Sequence, residues 1–261
     1  GYAKRAVEAA PNDAAAQLRL AEVHLRRDEA ELATAAYERA ITLDPRQWKI
    51  YFELSRLHVA GGAPERASQL LRQVMRRAPD EQFVLDAARR AVDLEEYLGT
   101  LHELEKELAP LMLANPERRE YRALLIDVYE RLIRPLSRAE RAGDESARPT
   151  LAKLADRAQR PLLDLLIDGD GQQQALAVAL LGELGGSGAA TPLLKLALSS
   201  FDGGRVPRAE KDGTVKAYTL RLDAALAGAQ AATPAELPLL EKLAAASEKH
   251  FRIAGYLGLG R

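Results

Sequence analysis

The stretch LAEVHLRRDEAELATAAYERAITLDP at residues 20–45 decides the fold, because a similar stretch follows 34 residues later, LSRLHVAGGAPERASQLLRQVMRRAP at 54–79. Both copies begin with leucine and a small residue, place a histidine four positions on, and end in proline. The same spacing separates Pro11, Pro45 and Pro79. A fixed period of this length indicates a stack of similar helical units.

The matched positions alternate small and large side chains. They are Leu20 with Leu54, Ala21 with Ser55, His24 with His58, Ala33 with Ala67, Tyr37 with Leu71, and Ala40 with Val74. Small residues let the two helices of a hairpin approach closely, and large residues fill the space between hairpins. Each proline ends one helix and starts the next turn. The pattern resembles the tetratricopeptide repeat (TPR) family, whose units are helix–turn–helix hairpins.

The TPR-like pattern extends in both directions from these two copies. Residues 2–10 are predicted to be the second helix of a partial first unit. A third full unit runs from about Gln82 to Pro116, with roughly three extra residues and helices predicted at 82–93 and 96–114.

The register then fades. A further first helix is predicted in ERREYRALLIDVYERL at 117–132. Pro135 and the polar run RAGDES at 141–146 indicate a kink and a boundary after it.

The second half carries a different repeat. The stretch QQQALAVALLGELGGSGAATPLLKLAL at 172–198 has the pattern of helix, glycine-rich turn and helix, and KHFRIAGYLGLGR at 249–261 is similar to its beginning. The glycines that mark successive units are Gly182, Gly228 and Gly258. This half resembles HEAT-like repeats of the short, roughly 30-residue kind. An inserted loop at about 199–214 explains the longer of the two steps.

Together the repeats predict an all-α fold, a right-handed α-solenoid of antiparallel helix hairpins. TPR-like repeats are expected over residues 1–143, the first one partial, and HEAT-like repeats over 144–261. Solenoids need polar capping repeats at their ends. Because the final YLGLGR is a poor cap, we expect the chain to be a piece of a longer protein.

Composition narrows the function. The chain is 47% hydrophobic, with a net charge of -1 and mixed signs along its length. A general affinity for nucleic acid or anionic membrane is therefore not expected. The sequence has no run of about 18 apolar residues, so membrane insertion is not predicted. High Ala and Arg content with little Lys is typical of a bacterial protein from a GC-rich genome.

The absence of Cys excludes disulfides, thiolate metal sites and a Cys nucleophile. It leaves the compartment open, because cytosolic and secreted proteins alike can lack Cys, with the cytoplasm favoured.

No catalytic, cofactor-binding or metal-binding residue is predicted. His24 and His58 share a repeat position and are expected to pack between helices. The run DGDG at 168–171 lacks the further ligands of a calcium loop, so Asp170 is interpreted as a helix cap. The run GELGGSG at 182–188 lacks a phosphate-loop ending and is interpreted as a turn, with Ser187 or Thr191 capping the next helix.

The TPR resemblance implies a partner-binding surface on the first helix of each hairpin, lining the concave face. The residues carried over to this surface, here called the TPR-like groove, are Leu18, Glu22, Lys49, Phe52, Arg56, Phe83 and Arg90. Phenylalanines offer apolar contacts there, and the cations offer donors for carboxylates. A second contact is predicted in the inserted loop, through Arg205, Arg208 and Lys211.

The predicted function is a non-catalytic protein–protein interaction scaffold, or an assembly subunit of a larger complex, that binds a protein or peptide partner and no cofactor. The alternative is an accessory or regulatory module of a larger multidomain enzyme or signalling protein. Nucleic-acid binding is a third hypothesis, which the mixed charge disfavours.

Overall fold

The described residues form an all-α fold. The computed structural model describes residues 5, 8–114, 119–185, 187–199 and 213–260, and these contain helices and turns but no strand. The chain divides into two compact units, Gly1–Leu125 (unit 1) and Ile126–Arg261 (unit 2). The change of repeat type between residues 143 and 144 stays a prediction.

Unit 1 is a series of helix hairpins, as the 34-residue period predicts. Its helices are α1 (Ala14–Arg26), α2 (Ala30–Leu43), α3 (Trp48–Ala60), α4 (Pro64–Arg77), α5 (Glu81–Leu98) and α6 (Leu101–Leu113). Helices α1 and α2, α3 and α4, and α5 and α6 pack as pairs, while α2 against α3 and α4 against α5 join one pair to the next. Such nearest-neighbour packing is the α-solenoid arrangement, so the predicted fold class is confirmed.

Most of the matched repeat positions lie in the core of unit 1, while Leu20 and His24 are half-buried. Ala21, Ala33, Leu54 and Ala67 are fully buried. His58 is also buried, which confirms its predicted place between helices.

One turn geometry ends the first helix of all three hairpins. Its central residue has a left-handed backbone, namely Asp28 (φ 61°), Gly62 (φ 76°) and Gly99 (φ 73°). The next backbone N–H donates to a carbonyl five residues earlier: Glu29 to His24 at 3.0 Å, Ala63 to His58 at 2.8 Å, and Thr100 to Glu95 at 2.9 Å. These bonds satisfy carbonyls that a helix end leaves unpaired.

The third turn lies three residues later than the period places it. Helix α5 runs to Leu98 instead of ending at 93, and α6 begins at Leu101 instead of 96. The predicted break at 94–95 was wrong because Gly99 is the residue there that adopts the left-handed turn at little cost.

Unit 2 repeats a different packing. Helix α7 (Arg119–Arg141) crosses the division between the units, and the rest are α8 (Ala147–Asp168), α9 (Gly171–Leu184), α10 (Ala190–Leu198), α11 (Gly213–Ala231), α12 (Leu237–Ala244) and α13 (Lys249–Leu259). Helices α8 and α9, α10 and α11, and α12 and α13 pack as pairs. Helices α9, α11 and α13 also pack on one another in succession.

The predicted marker glycines of unit 2 lie where helices meet. A Cβ atom on Gly182 would lie 3.0 Å from the Cβ of Ala227 in α11, and one on Gly258 would lie 3.2 Å from the Cβ of Ala229 in the same helix. A Cβ on Gly228 would lie 2.9 Å from Leu194 of α10. These glycines therefore permit close helix approach.

The ends of the unit 2 helices agree with the sequence in part. Asp170 caps α9 through a reciprocal capping box with Gln173, as predicted for a cap. Thr191 does not cap α10, which begins after Ala189; its hydroxyl donates to the Glu236 carboxylate at 2.8 Å instead.

The remaining predictions concern the helix at 117–132, the partial helix at 2–10 and the inserted loop. Helix α7 continues through Pro135 to Arg141, so the helix predicted at 117–132 is longer than expected. Most of the partial helix at 2–10, and residues 200–212 of the inserted loop, lie outside the described residues. None of the described helices combines the length and apolar character that crossing a bilayer requires.

Candidate functional site

The TPR-like groove lies on α1, α3 and α5, the first helices of the three hairpins. Of its seven residues, the apolar ones are half-buried and the charged ones exposed. The half-buried residues are Leu18, Phe52 and Phe83, and the exposed ones are Glu22, Lys49, Arg56 and Arg90. Half-buried rings beside exposed charges are available to a partner without any rearrangement of the core.

Three groove residues from two repeats meet directly. The rings of Phe52 on α3 and Phe83 on α5 stack with centroids 6.1 Å apart and planes 25° from parallel. The guanidinium carbon of Arg90 lies 4.6 Å from the centre of the Phe52 ring. Ring pairs and cation–ring contacts of this kind each contribute on the order of 1 kcal/mol. The three side chains form a preformed aromatic and cationic platform.

Charges of both signs surround this platform. Arg56 lies 3.2 Å from Glu53, one turn away on α3. Burial, followed by the negative charges of Glu22 and Glu53, raises the pKa of Tyr37, whereas the positive charge of Arg56 lowers it. Glu22 of α1 and Arg56 of α3 thus both act on the same buried hydroxyl.

Lys49 and Leu18 are less closely tied to the platform. In the described parts of the chain, no hydrogen bond, ion pair or ring contact joins either side chain to Phe52, Phe83 or Arg90. Lys49 shares α3 with Phe52, whereas Leu18 lies on α1. The ammonium group of Lys49 is therefore available to an incoming carboxylate.

A second cluster, which the sequence did not reveal, is centred on Glu95 of α5. The Glu95 side chain is 3% exposed. It accepts hydrogen bonds from the hydroxyls of Ser68 and Thr100 and from Arg72, whose Nη2 lies 2.7 Å away. Arg72 also donates to Glu107 at 2.7 Å. The cluster joins α4, α5 and α6 through charged hydrogen bonds.

Burial and hydrogen bonding act in opposite directions on Glu95. Burial alone raises the pKa of this carboxyl, but the donors Ser68, Thr100 and Arg72 outweigh it and leave the pKa lowered. The cluster therefore holds Glu95 ionised, and a surface cavity of about 620 Å³ beside it is lined by residues of α4, the end of α5, the α5–α6 turn and the start of α6. Because both Arg72 and Arg76 already pair with carboxylates, this cavity offers no free cation from those two side chains.

One signal in the sequence marks Glu95. Counting four residues back from each left-handed turn residue leads to His24, His58 and Glu95. Aligning the repeats by their prolines instead placed the third turn too early and left Glu95 in a loop. Aligning them by Gly62 and Gly99 gives Glu95 the buried position that His58 occupies.

Unit 2 holds a larger cavity of about 1030 Å³, here called the unit 2 cavity. It is lined by the end of α7 and by α8, α9 and α11. Four carboxylates and two guanidinium groups line it, a net formal charge of -2: Glu140, Asp156, Glu183, Asp223, Arg141 and Arg148. Partial burial raises the pKa of Asp223.

Two further predictions concern the cations of the inserted loop and the metal ligands. Arg205, Arg208 and Lys211 lie outside the described residues. Within the part of the chain that the structure describes, no three or more His, Asp or Glu side chains are grouped as a metal ion requires.

Comparison with known proteins bears on unit 1. The sequence profile of the tetratricopeptide repeat family matches residues 28–91, which span α2 to α5 except for the last turns of α5. A search of curated proteins found no significant match.

Among solved structures, a TPR repeats protein from Bacteroides fragilis NCTC 9343 is similar at a TM-score of 0.48 and 10% identity, over 95% of this chain and 99% of that one. At this level the similarity has no bearing on function. The HEAT-like nature of residues 144–261 stays a prediction. Residues 28–91 are similar to the tetratricopeptide repeat family, and that segment contains five of the seven predicted groove residues, Lys49, Phe52, Arg56, Phe83 and Arg90.

Proposed function

We propose that the protein is a non-catalytic interaction scaffold that binds a segment of a partner protein in the TPR-like groove. TPR repeats generally mediate protein–protein interactions, and the match to that family includes the central groove residues. The observation that carries the proposal is the platform of Phe52, Phe83 and Arg90. An aromatic pair with a stacked arginine is the kind of rigid anchor on which binding energy concentrates.

The chemistry of the groove sets the kind of partner. Lys49, Arg56 and Arg90 are exposed on α3 and α5, and carboxylates are their natural counterparts. Phe52 and Phe83 are half-buried and leave part of each ring for an apolar side chain. The proposed ligand is therefore a segment that presents an apolar residue next to one or more acidic residues.

Affinity capture from a lysate of the source cell tests the proposal. The full chain is compared with the variant Lys49→Glu, Arg56→Glu, Arg90→Glu. The control reverses three exposed cations on the second helices, Arg66→Glu, Arg77→Glu and Lys106→Glu, and so changes the net charge equally. All three proteins must give the same helical circular dichroism.

We expect a partner captured by the wild type and the control but lost from the groove variant. Because surface charge is screened by salt, capture should also weaken as ionic strength rises. Equal capture by all three proteins would show that the TPR-like groove is not the binding surface.

A further inference from the structure

Helix α13 leaves three apolar side chains uncovered on one face. Ile253, Tyr256 and Leu257 are 43%, 63% and 59% exposed. Residues three and four positions apart on a helix lie side by side, so the three form one surface, here called the α13 patch. Single exposed apolar residues are common, but a contiguous group beside polar groups is typical of a binding surface.

The α13 patch continues the lining of the unit 2 cavity. Gly228 and Gly258 are 30 residues apart, and the residues 30 positions before the patch are Asp223, Leu226 and Ala227. All three of these line the cavity on α11. Leu226 and Leu257 also share a smaller cavity of about 110 Å³, so cavity and patch adjoin.

The unit 2 cavity is large and lined partly by small residues. Its volume of about 1030 Å³ is at the upper end for small-molecule pockets, and it is open to solvent. Small residues line it on α8 and α9, among them Ala155, Ala175, Ala179 and Gly182. Because the distance between packed helices depends on the side chains at their contact, such a surface permits close approach.

The negative charges that line the unit 2 cavity favour an occupant with positive charge. In the described residues, Asp156 and Asp223 make no hydrogen bond or ion pair. Glu183 lies 3.7 Å from Arg141, and its Oε2 is buried without a hydrogen-bond partner there. A buried acceptor without a donor costs free energy, which a cation from outside would recover.

We propose that unit 2 binds an amphipathic helix of a partner protein, with its apolar face on Leu226 and the α13 patch and a Lys or Arg directed at Asp156, Asp223 and Glu183. Apolar anchors at helical spacing in a groove are an established mode of recognition. The site is separate from the TPR-like groove and prefers the opposite charge, so either proposal can fail without the other.

Selection from a displayed library of helical peptides tests the inference. The bait is the full chain, and each enriched peptide is then titrated against the wild type, Asp156→Asn/Asp223→Asn and Tyr256→Ser/Leu257→Ser. These positions lie on the surface or are partly exposed, so both variants should keep their helical circular dichroism. The variant Lys49→Glu, Arg56→Glu, Arg90→Glu reports on the TPR-like groove.

We expect enriched peptides with an apolar stripe and Lys or Arg beside it, and a loss of affinity of about tenfold or more in each unit 2 variant. The groove variant should bind these peptides as the wild type does. The inference is overturned if no peptide is enriched, if the enriched peptides are acidic or neutral, or if both unit 2 variants bind them unchanged.

Discussion

The turn glycines of unit 1 and the helix-contact glycines of unit 2 have different roles. In unit 1, Gly62 and Gly99 have φ of 76° and 73°, and an added Cβ would meet nothing within 4 Å. In unit 2, Gly255 is helical, and an added Cβ would lie 2.4 Å from the backbone nitrogen of Ala244, the last residue of α12. The turn glycines Gly62 and Gly99 are needed for backbone conformation and the helical Gly255 for space, so one residue type reports two different constraints.

The units also differ in the polar side chains that their cores bury. Unit 1 buries the ionised Glu95 among the donors Ser68, Arg72 and Thr100. The buried core of unit 2 is almost entirely Ala, Leu and other apolar residues, with Ser137 and Glu236 as its buried polar residues among those described. Changes that disturb charge should therefore act most strongly on unit 1, and changes of volume on unit 2.

Removal of Arg72 is expected to have the largest effect. Arg72→Met keeps an unbranched, largely apolar chain in place of the arginine stem but leaves Glu95 buried without its cation, which should lower the free energy of unfolding by about 3 kcal/mol. The control is Arg76→Met, since Arg76 is 63% exposed and pairs with Glu107 at the surface; we expect a loss of about 0.5 kcal/mol or less. Urea titrations at neutral pH measure both. Equal effects would remove the distinction between the buried and the surface pair.

Acidification should weaken the same cluster. The folded-state pKa of Glu95 lies below its ordinary value of 4.5, so the stability it contributes is present above pH 4.5 and is lost as the pH falls from 4.5 through the folded-state value. Asp223 of unit 2 has a raised pKa and acts in the opposite sense, because protonation removes the cost of its partial burial. The free energy of unfolding, measured from pH 7 to pH 3, should fall less steeply for Glu95→Gln than for the wild type. Parallel curves would contradict this.

The next prediction concerns the close contact between Gly255 and the backbone of α12. Gly255→Ala forces a Cβ against the backbone of Ala244, which cannot move aside as a side chain can, and should cost about 2–3 kcal/mol. Gly258→Ala meets the flexible end of Leu240 instead and should cost less. Thermal unfolding of the two variants measures the difference. A smaller loss at Gly255 than at Gly258 would show that the α12–α13 contact is looser than described.

Backbone conformation in unit 1 should give the smallest effects. Gly62→Val places a β-branched residue in a left-handed turn and should cost about 1–2 kcal/mol, whereas Gly62→Asn should cost less because Asn tolerates this region. Asp28 is the one non-glycine in the equivalent turns. Asp28→Gly should raise the free energy of unfolding by a few tenths of a kcal/mol, about 0.5 at most. Chemical denaturation ranks the three variants. Equal losses for Val and Asn would mean that φ is not the constraint.

The sequence predicted those features that repeat. The proline spacing led to three hairpins, and the shared first-helix positions identified Phe52, Phe83 and Arg90 before their contact was known. The hairpins were predicted correctly because equivalent positions in a solenoid have equivalent surroundings. That Phe52, Phe83 and Arg90 bind a partner stays a prediction.

Features that depend on a departure from the repeat, or on packing between distant helices, were not predicted. Glu95 was missed because α5 has three extra residues, which moved the turn to Gly99. Thr191 was predicted as a cap, although its partner Glu236 lies 45 positions away in the chain. The unit 2 cavity was not predicted either, because α8, α9 and α11 form it from separate stretches of the sequence.

Photo-crosslinking in the source cell tests most directly whether the TPR-like groove is the partner-binding surface. A photoreactive amino acid is placed at Lys49, on α3 beside the platform, and in a second protein at Lys106, exposed on α6. We expect illumination to join a partner protein to the chain from position 49 and not from position 106, with the adduct lost on Arg90→Glu. Adducts from both positions alike, or from position 106 alone, would contradict the account.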